Sequence, residues 1–146
     1  MGFCTDQEYE EFMKTVPMFE QLLVHCGFTL LKYYLDIGRE EQKHRLKRRG
    51  KDPLRQWKMS PIDAKALKHW EHYSEARNTM LTKTHGVLTP WVVVRADDKR
   101  TARLNVIRDI LSRCDFHGKS RHGEFPDTNI VFPFDEKYLK NGMIAE

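Results

Sequence analysis

Two short, almost unbroken apolar runs constrain this chain more than any other feature. "FTLLKYYLDI" (28–37) and "TPWVVVRADD" (89–98) are rich in branched and aromatic residues. Such runs suit strands buried on both faces of a parallel sheet. Parallel strands need a long crossover, usually helical, so the pattern predicts an α/β fold. The crossover, from 38 to about 90, holds more helix than one layer needs, and part of it is expected to project as a lid. Two strands are few for a sheet of this kind. The fold reads as incomplete.

The helices can be placed around those runs. Residues 7–26 read as helix in two pieces, separated before Pro17. After the first strand, Gly38 is the expected N-cap and Glu41 the N3 residue, half of a capping box, and the helix ends near Gly50 because Pro53 follows. Residues 60–85 read as one long helix, with Ser60 as cap, Pro61 at N1 and Asp63 at N3. Its apolar stripe runs from Ile62 through Leu67, Trp70 and Tyr73 to Met80 and Leu81. After the second strand a basic helix is expected to turn Leu104, Ile107, Ile110, Leu111 and Cys114 inward. "DFHGKSRHGEFPD" reads as loop, and "IVFPFDEKYL" as an irregular or docked tail.

Charge is segregated along the chain. Between Arg39 and Lys58 nine Lys/Arg face three Asp/Glu, a net +6, although the whole chain is only +4. A second basic stretch, 95–121, carries +4, and the segment between the two is nearly neutral. If the two meet in space they make one positive cleft. Forty per cent apolar and 32% charged residues over 146 positions fit one folded domain. No run approaches the eighteen apolar residues of a membrane span, and the N-terminus lacks a secretory pattern. Cys4, Cys26 and Cys114 are scattered, which points to reduced thiols in a cytoplasm, with Cys26 and Cys114 packed in the core.

Several motifs fail on inspection. "GKS" (118–120) lacks the upstream glycine of a phosphate loop, since Arg113 stands there, and no strand leads into it. His69 and His72 have metal-like i, i+3 spacing but no third ligand, and His117 and His122 read as loop surface. The basic segment carries more. A charge run is by default a solvated face, yet Arg45, Arg48 and Arg49 crowd one helix, where they repel unless an anion offsets them. Ligands of parallel sheets bind beyond the strands' carboxyl ends. That places Asp36, Asp97, Asp98 and Lys99 at a mouth, with Arg100 and Arg103 behind. Asp97 is equally natural as a helix cap.

The strings "KDPLRQWKMSPID", "HWEHYSEARNTML" and "PWVVVRADDKRTARLNVIRDILSR", in this order after "FTLLKYYLDIGREEQKHRL", resemble the C-terminal part of the polyphosphate kinase 2 family. The resemblance covers roughly 3–116 and 126–145. It implies a partial P-loop-kinase-like α/β/α fold: two parallel strands in a single partial domain over 1–146, with 38–85 as a helical lid region. It implies Mg²⁺-dependent phosphoryl transfer from inorganic polyphosphate to a nucleoside diphosphate, giving a triphosphate. Arg39, Arg45, Arg49, Arg55 and Lys58 would handle polyphosphate, and Asp97, Lys99 and Arg103 would lie on the nucleotide side. The resemblance also suggests a homo-oligomer, and the mix of cations and carboxylates at one sheet edge fits phosphate with Mg²⁺ better than a nucleic acid backbone.

The departures are as informative. Family members carry Walker A and Walker B segments ahead of the region where this sequence starts, as though Met1 were internal to a longer protein. No Gly-rich phosphate loop stands anywhere in the 146 residues, so the chain alone is expected to be inactive. Gly38 stands where the family usually has Ser, and Leu46 where it has an aromatic residue. A rival reading is a non-catalytic basic module that binds polyanions or nucleic acid.

Overall fold

The computed structural model describes residues 3–119 and 125–145. The chain runs α1 (Asp6–His25), β1 (Lys32–Asp36), α2 (Arg39–Lys51), a 3₁₀ turn (Gln56–Lys58), α3 (Pro61–Ala66), α4 (Trp70–Thr84), β2 (Trp91–Arg95), α5 (Lys99–Arg113), β3 (Val131–Pro133) and a second 3₁₀ turn (Glu136–Leu139).

The two apolar runs do pair in parallel, Lys32 opposite Trp91 and Asp36 opposite Arg95. The sheet has a third member. β3, expected to be irregular tail, pairs antiparallel with β2 through Val94–Val131, Val93–Phe132 and Val92–Pro133, giving the order β1-β2-β3. Central β2 is thus bonded on both edges.

Side-chain alternation sorts the core onto two faces. On one face Leu81 of α4 packs with Val93, Phe132, Phe134 and Ile144. On the other, Ala102 of α5 packs with Val92, Val94, Ala96 and Val131. Helices therefore lie on both faces of the sheet, α4 on one and α5 on the other, as an α/β fold requires.

The helices differ from expectation in three places. α1 is continuous through Pro17, and within it the Thr15 hydroxyl donates back to the Glu11 carbonyl at 2.9 Å. The expected 60–85 helix breaks at 67–69. There the N–H groups of Lys68 and His69 both reach the Lys65 carbonyl, and the helix restarts with Tyr73 N–H on His69 O. α5 buries Ala102, Asn105 and Asp109, while Leu104, Ile107 and Leu111 of its predicted inner stripe are exposed. Cys26 is exposed and Cys114 half-buried, so Cys26 is no core residue.

Lys32 is buried and ties the layers together. Its ammonium pairs with Glu20 of α1 at 2.7 Å, donates to the Thr84 carbonyl at the end of α4 and lies 4.7 Å over the Trp91 ring. A buried cation is tolerable only with such a full set of partners.

Candidate phosphate-binding site at the carboxyl ends of the strands

Both parallel strands end at the same edge, and the helices that follow start there. After β1, Gly38 is the N-cap of α2, with no side-chain cap bond. After β2, Asp98 caps α5, its carboxylate accepting from Thr101 N–H at 2.6 Å. That hydrogen bond holds the Asp98 carboxyl below the usual carboxylate range. Asp97 is therefore not the cap. It reaches across and accepts from Gly38 N–H at 2.9 Å, joining the two strand ends. A Cβ at Gly38 would meet the Asp97 carboxylate at 3.7 Å, an ordinary contact.

Arg45 is the second clasp. Its Nε donates to Glu41 at 2.6 Å, and its Nη2 donates to the carbonyls of Ala96 and, at 2.8 Å, Asp97. α2 is thereby drawn over the start of α5, and the two basic segments meet. Lys99 registers the meeting: partial desolvation, then the charges of Arg45, Arg103, Arg48 and Arg55, depress its ammonium below the ordinary lysine value of 10.5. Arg45 of the first basic stretch thus lies against the residues that lead into α5, where Lys99 begins the helix of the second.

The remaining predicted polyphosphate residues are deployed differently. Arg49 donates to Asp63 at 2.7 Å, and Asp63 also closes the capping box of α3 with Ser60. Arg55 pairs with Asp52 at 2.9 Å. Lys58 lies 4.9 Å over the Trp57 ring, and Arg39 is exposed at the start of α2. Arg49 thus spends part of its charge on the fold, whereas Lys99 and Arg103 are exposed.

Asp36 does not open to the mouth as its strand-end position suggests. It is 7% exposed, and its Oδ2 accepts from Ala145 N–H at 3.0 Å. Arg77 of α4 donates to the carbonyl of the same Ala145 and lies 4.0 Å from Asp36 Oδ1, an oxygen without a hydrogen bond. Burial pushes the Asp36 carboxyl up, against the pull of Ala145 N–H and Arg77. The peptide of Ala145 is clamped on both sides. Sequence reasoning missed Arg77 and the tail, because neither carries a motif. A small cavity of about 190 Å³ lies beside this clamp, lined by Asp36, Gly38, Arg95, Asp97, Gly142 and Met143 among others.

Among the described residues no three His, Cys, Asp or Glu gather as metal ligands. Asp36 and Asp97 each have one oxygen committed to an N–H donor, so the residues present do not by themselves make a Mg²⁺ site. The His69 and His72 rings are 5.8 Å apart and tilted. Gly118 sits in a turn at φ +80, while Ser120 and His122 lie outside the described residues. No helix among the described residues is long and apolar enough to cross a membrane.

The family model for polyphosphate kinase 2 (PPK2) matches residues 1–122. The chain is 43% identical over 142 residues to ADP-polyphosphate phosphotransferase 1 of Rhizobium meliloti (strain 1021), covering 97% of this chain and 45% of that protein. It is 42% identical over 134 residues to a GDP-polyphosphate phosphotransferase of Pseudomonas aeruginosa, covering 91% and 38%. The crystal structure of polyphosphate kinase 2 from Arthrobacter aurescens TC1 superposes with a TM-score of 0.64 at 35% identity, over 68% of this chain and 36% of that one. The chain therefore spans less than half the length of these relatives. A family match over most of the sequence and a shared fold place the chain in the polyphosphate kinase 2 family.

Proposed function

We propose that this chain forms the polyphosphate-gripping and nucleotide-side part of a polyphosphate:nucleoside-diphosphate phosphotransferase. The observation that carries the reading is Arg45 of α2 clasped to the carbonyls of Ala96 and Asp97 at the end of β2, next to Lys99 at the start of α5. In the reaction, the terminal phosphorus–oxygen anhydride bond of polyphosphate breaks and a new one forms to the β-phosphate oxygen of the diphosphate. Negative charge builds on the oxygens in flight, and fixed cations lower its energy without reorganising. Arg39, Arg45, Arg49, Arg55 and Lys58, on α2 and the turn after it, act on polyphosphate in this reading. Asp97, Lys99 and Arg103 act on the nucleotide side. The stretch 38–85 serves as the lid, and Arg45 holds it to the strand ends.

Mg²⁺ belongs to the proposal as an ion carried by the phosphates and by groups outside this chain. With no Gly-rich phosphate loop in the sequence, the chain by itself turns over no useful amount of nucleotide. The relatives' names differ in their nucleotide, ADP in one and GDP in the other, and the proposal does not choose between the two.

The rival is a generic polyanion-binding module. Both readings expect binding that weakens with salt, so specificity is the test. Polyphosphate and duplex DNA are titrated into the chain at equal phosphate concentration and matched ionic strength. Preference for polyphosphate is the expected result. Equal affinity for the two would overturn the kinase reading in favour of the generic module.

A further inference from the structure

The cavity of about 190 Å³ at the strand ends lies between the C-terminal tail and the residues Asp36, Gly38, Arg95 and Asp97. Its tail wall is fixed. Gly142 turns at φ +72, in the left-handed region that glycine favours. Ile144 is 2% exposed in the core, and Asp36 and Arg77 clamp the Ala145 peptide. A preformed wall binds a ligand at little ordering cost.

Three polar groups of this cavity are uncommitted. Asp97 gives Oδ1 to Gly38 N–H, and its Oδ2 has no hydrogen bond among the described residues. Asp36, 7% exposed, gives Oδ2 to Ala145 N–H. Its Oδ1 has no hydrogen bond, since Arg77 at 4.0 Å is out of reach. Arg95 lies 5.8 Å over the Phe132 ring and makes no ion pair among the described residues. It also stands outside the residues that the sequence assigns to either substrate.

Two oxygen acceptors and one guanidinium complement a sugar phosphate. Ribose hydroxyls donate to carboxylates in dinucleotide sites, and phosphate oxygens accept from arginine. A bare phosphate would meet two carboxylates and a bare metal ion would meet Arg95, so neither suits the whole set. Size agrees, since pockets that enclose a whole drug-sized ligand hold roughly 300–1,000 Å³. This cavity is smaller, with room for a sugar and none for a base as well.

We propose that the cavity holds the ribose of the nucleoside diphosphate. The 2′ and 3′ hydroxyls donate to Asp97 Oδ2 and Asp36 Oδ1, the phosphates accept from Arg95, and the base stays outside. The inference rests on the nucleotide-side role proposed for Asp97 and gives that role a substrate feature, the diol. It makes the chain indifferent to the base, in step with relatives named for ADP and for GDP.

The test is isothermal titration of the chain, in metal-free buffer, with ADP, GDP, 2′,3′-dideoxy-ADP and pyrophosphate. ADP and GDP should bind within about threefold of each other, and the dideoxy analogue roughly tenfold more weakly than ADP, the loss of hydrogen bonds to charged acceptors. Asp97→Asn, whose amide oxygen can still accept from Gly38, should remove most of the diol preference without weakening pyrophosphate. Arg95→Met should weaken ADP and pyrophosphate by a similar factor and preserve the diol preference. Circular dichroism checks the fold of each variant, and the comparison of ADP with its dideoxy analogue needs no variant at all. Equal affinity for those two overturns the proposal, as does a strong preference for one base or no detectable binding of ADP. A diol preference that survives Asp97→Asn, or pyrophosphate binding untouched by Arg95→Met, overturns it too. A chain that reads the diol yet binds polyphosphate and DNA alike keeps the ribose site, and it is the proposed reaction that falls.

Discussion

β1 and β2 are both five residues long and lie side by side in register, yet their fates differ. β2 has a partner on each edge, and Val92, Val93 and Val94 are buried, Val93 and Val94 completely. Among the described residues β1 has one partner, and it leaves Leu35 in solvent. The apolar run around β1 is as strand-like as that of β2. What separates them is the neighbours, so burial here belongs to the assembly of layers more than to the strand's own sequence.

The sharpest way to break the comparison is a charge in each strand. Val93→Asp should cost more than about 4 kcal/mol, enough to unfold a marginal domain, because the carboxylate has no water and no partner. Leu35→Lys should stay within roughly 0.5 kcal/mol of the parent, as surface changes do. Thermal melts followed by circular dichroism read both. Equal losses would mean that β1 is covered in solution.

The residues that follow the strands extend the contrast. After β2, Lys99→Met should weaken nucleoside diphosphate binding roughly tenfold at low salt, the loss of about one charge-assisted contact. The pH dependence has a definite sign. The Lys99 pKa is depressed in the free chain, and a bound polyanion favours the charged form, so binding takes up a proton. Affinity should fall as pH rises through the depressed value, beginning before the ordinary 10.5 is reached. Lys99→Met should remove that limb of the profile, and isothermal titration in buffers of different ionisation enthalpy counts the proton directly. After β1, the smallest effect is expected. Gly38→Ser gives α2 the side-chain cap it lacks and should add only a few tenths of a kcal/mol. A fall in melting temperature would show that the added Cβ disturbs Asp97.

Legibility follows the same physics. The branched run Val92–Val94 could be read because nothing but a buried strand suits it. β3 could not, since Val131–Pro133 is three residues long and ends in a proline, which is confined to edges and strand ends. In α5 the 3.6-residue periodicity held only in part, since Ile110 and Cys114 are half-buried while Leu104, Ile107 and Leu111 are exposed. Its buried side holds polar residues with long-range tasks: Asn105 accepts from Asp127 N–H at 2.7 Å, and Asp109 accepts from the Tyr33 hydroxyl. Those hydrogen bonds join segments far apart in sequence, and no local pattern announces them. At the site, charge segregation showed two basic stretches but not whether they meet; Arg45 of the first reaches the Ala96 and Asp97 carbonyls of the second. The clamp of Asp36 and Arg77 on Ala145 was hidden, because its ligand is a backbone peptide and any residue could stand there.

The place of β3 in the chain also sets an order of events. The second edge of β2 is filled by residues 131–133, and the core on the α4 face is completed by Ile144. During synthesis β1 and β2 leave the ribosome well before either arrives, with the apolar middle of the sheet one partner short. Such non-local closure slows folding and prolongs exposure of sticky intermediates. A short deletion near residue 144 is therefore expected to harm yield in the cell more than its distance from the charged cleft suggests.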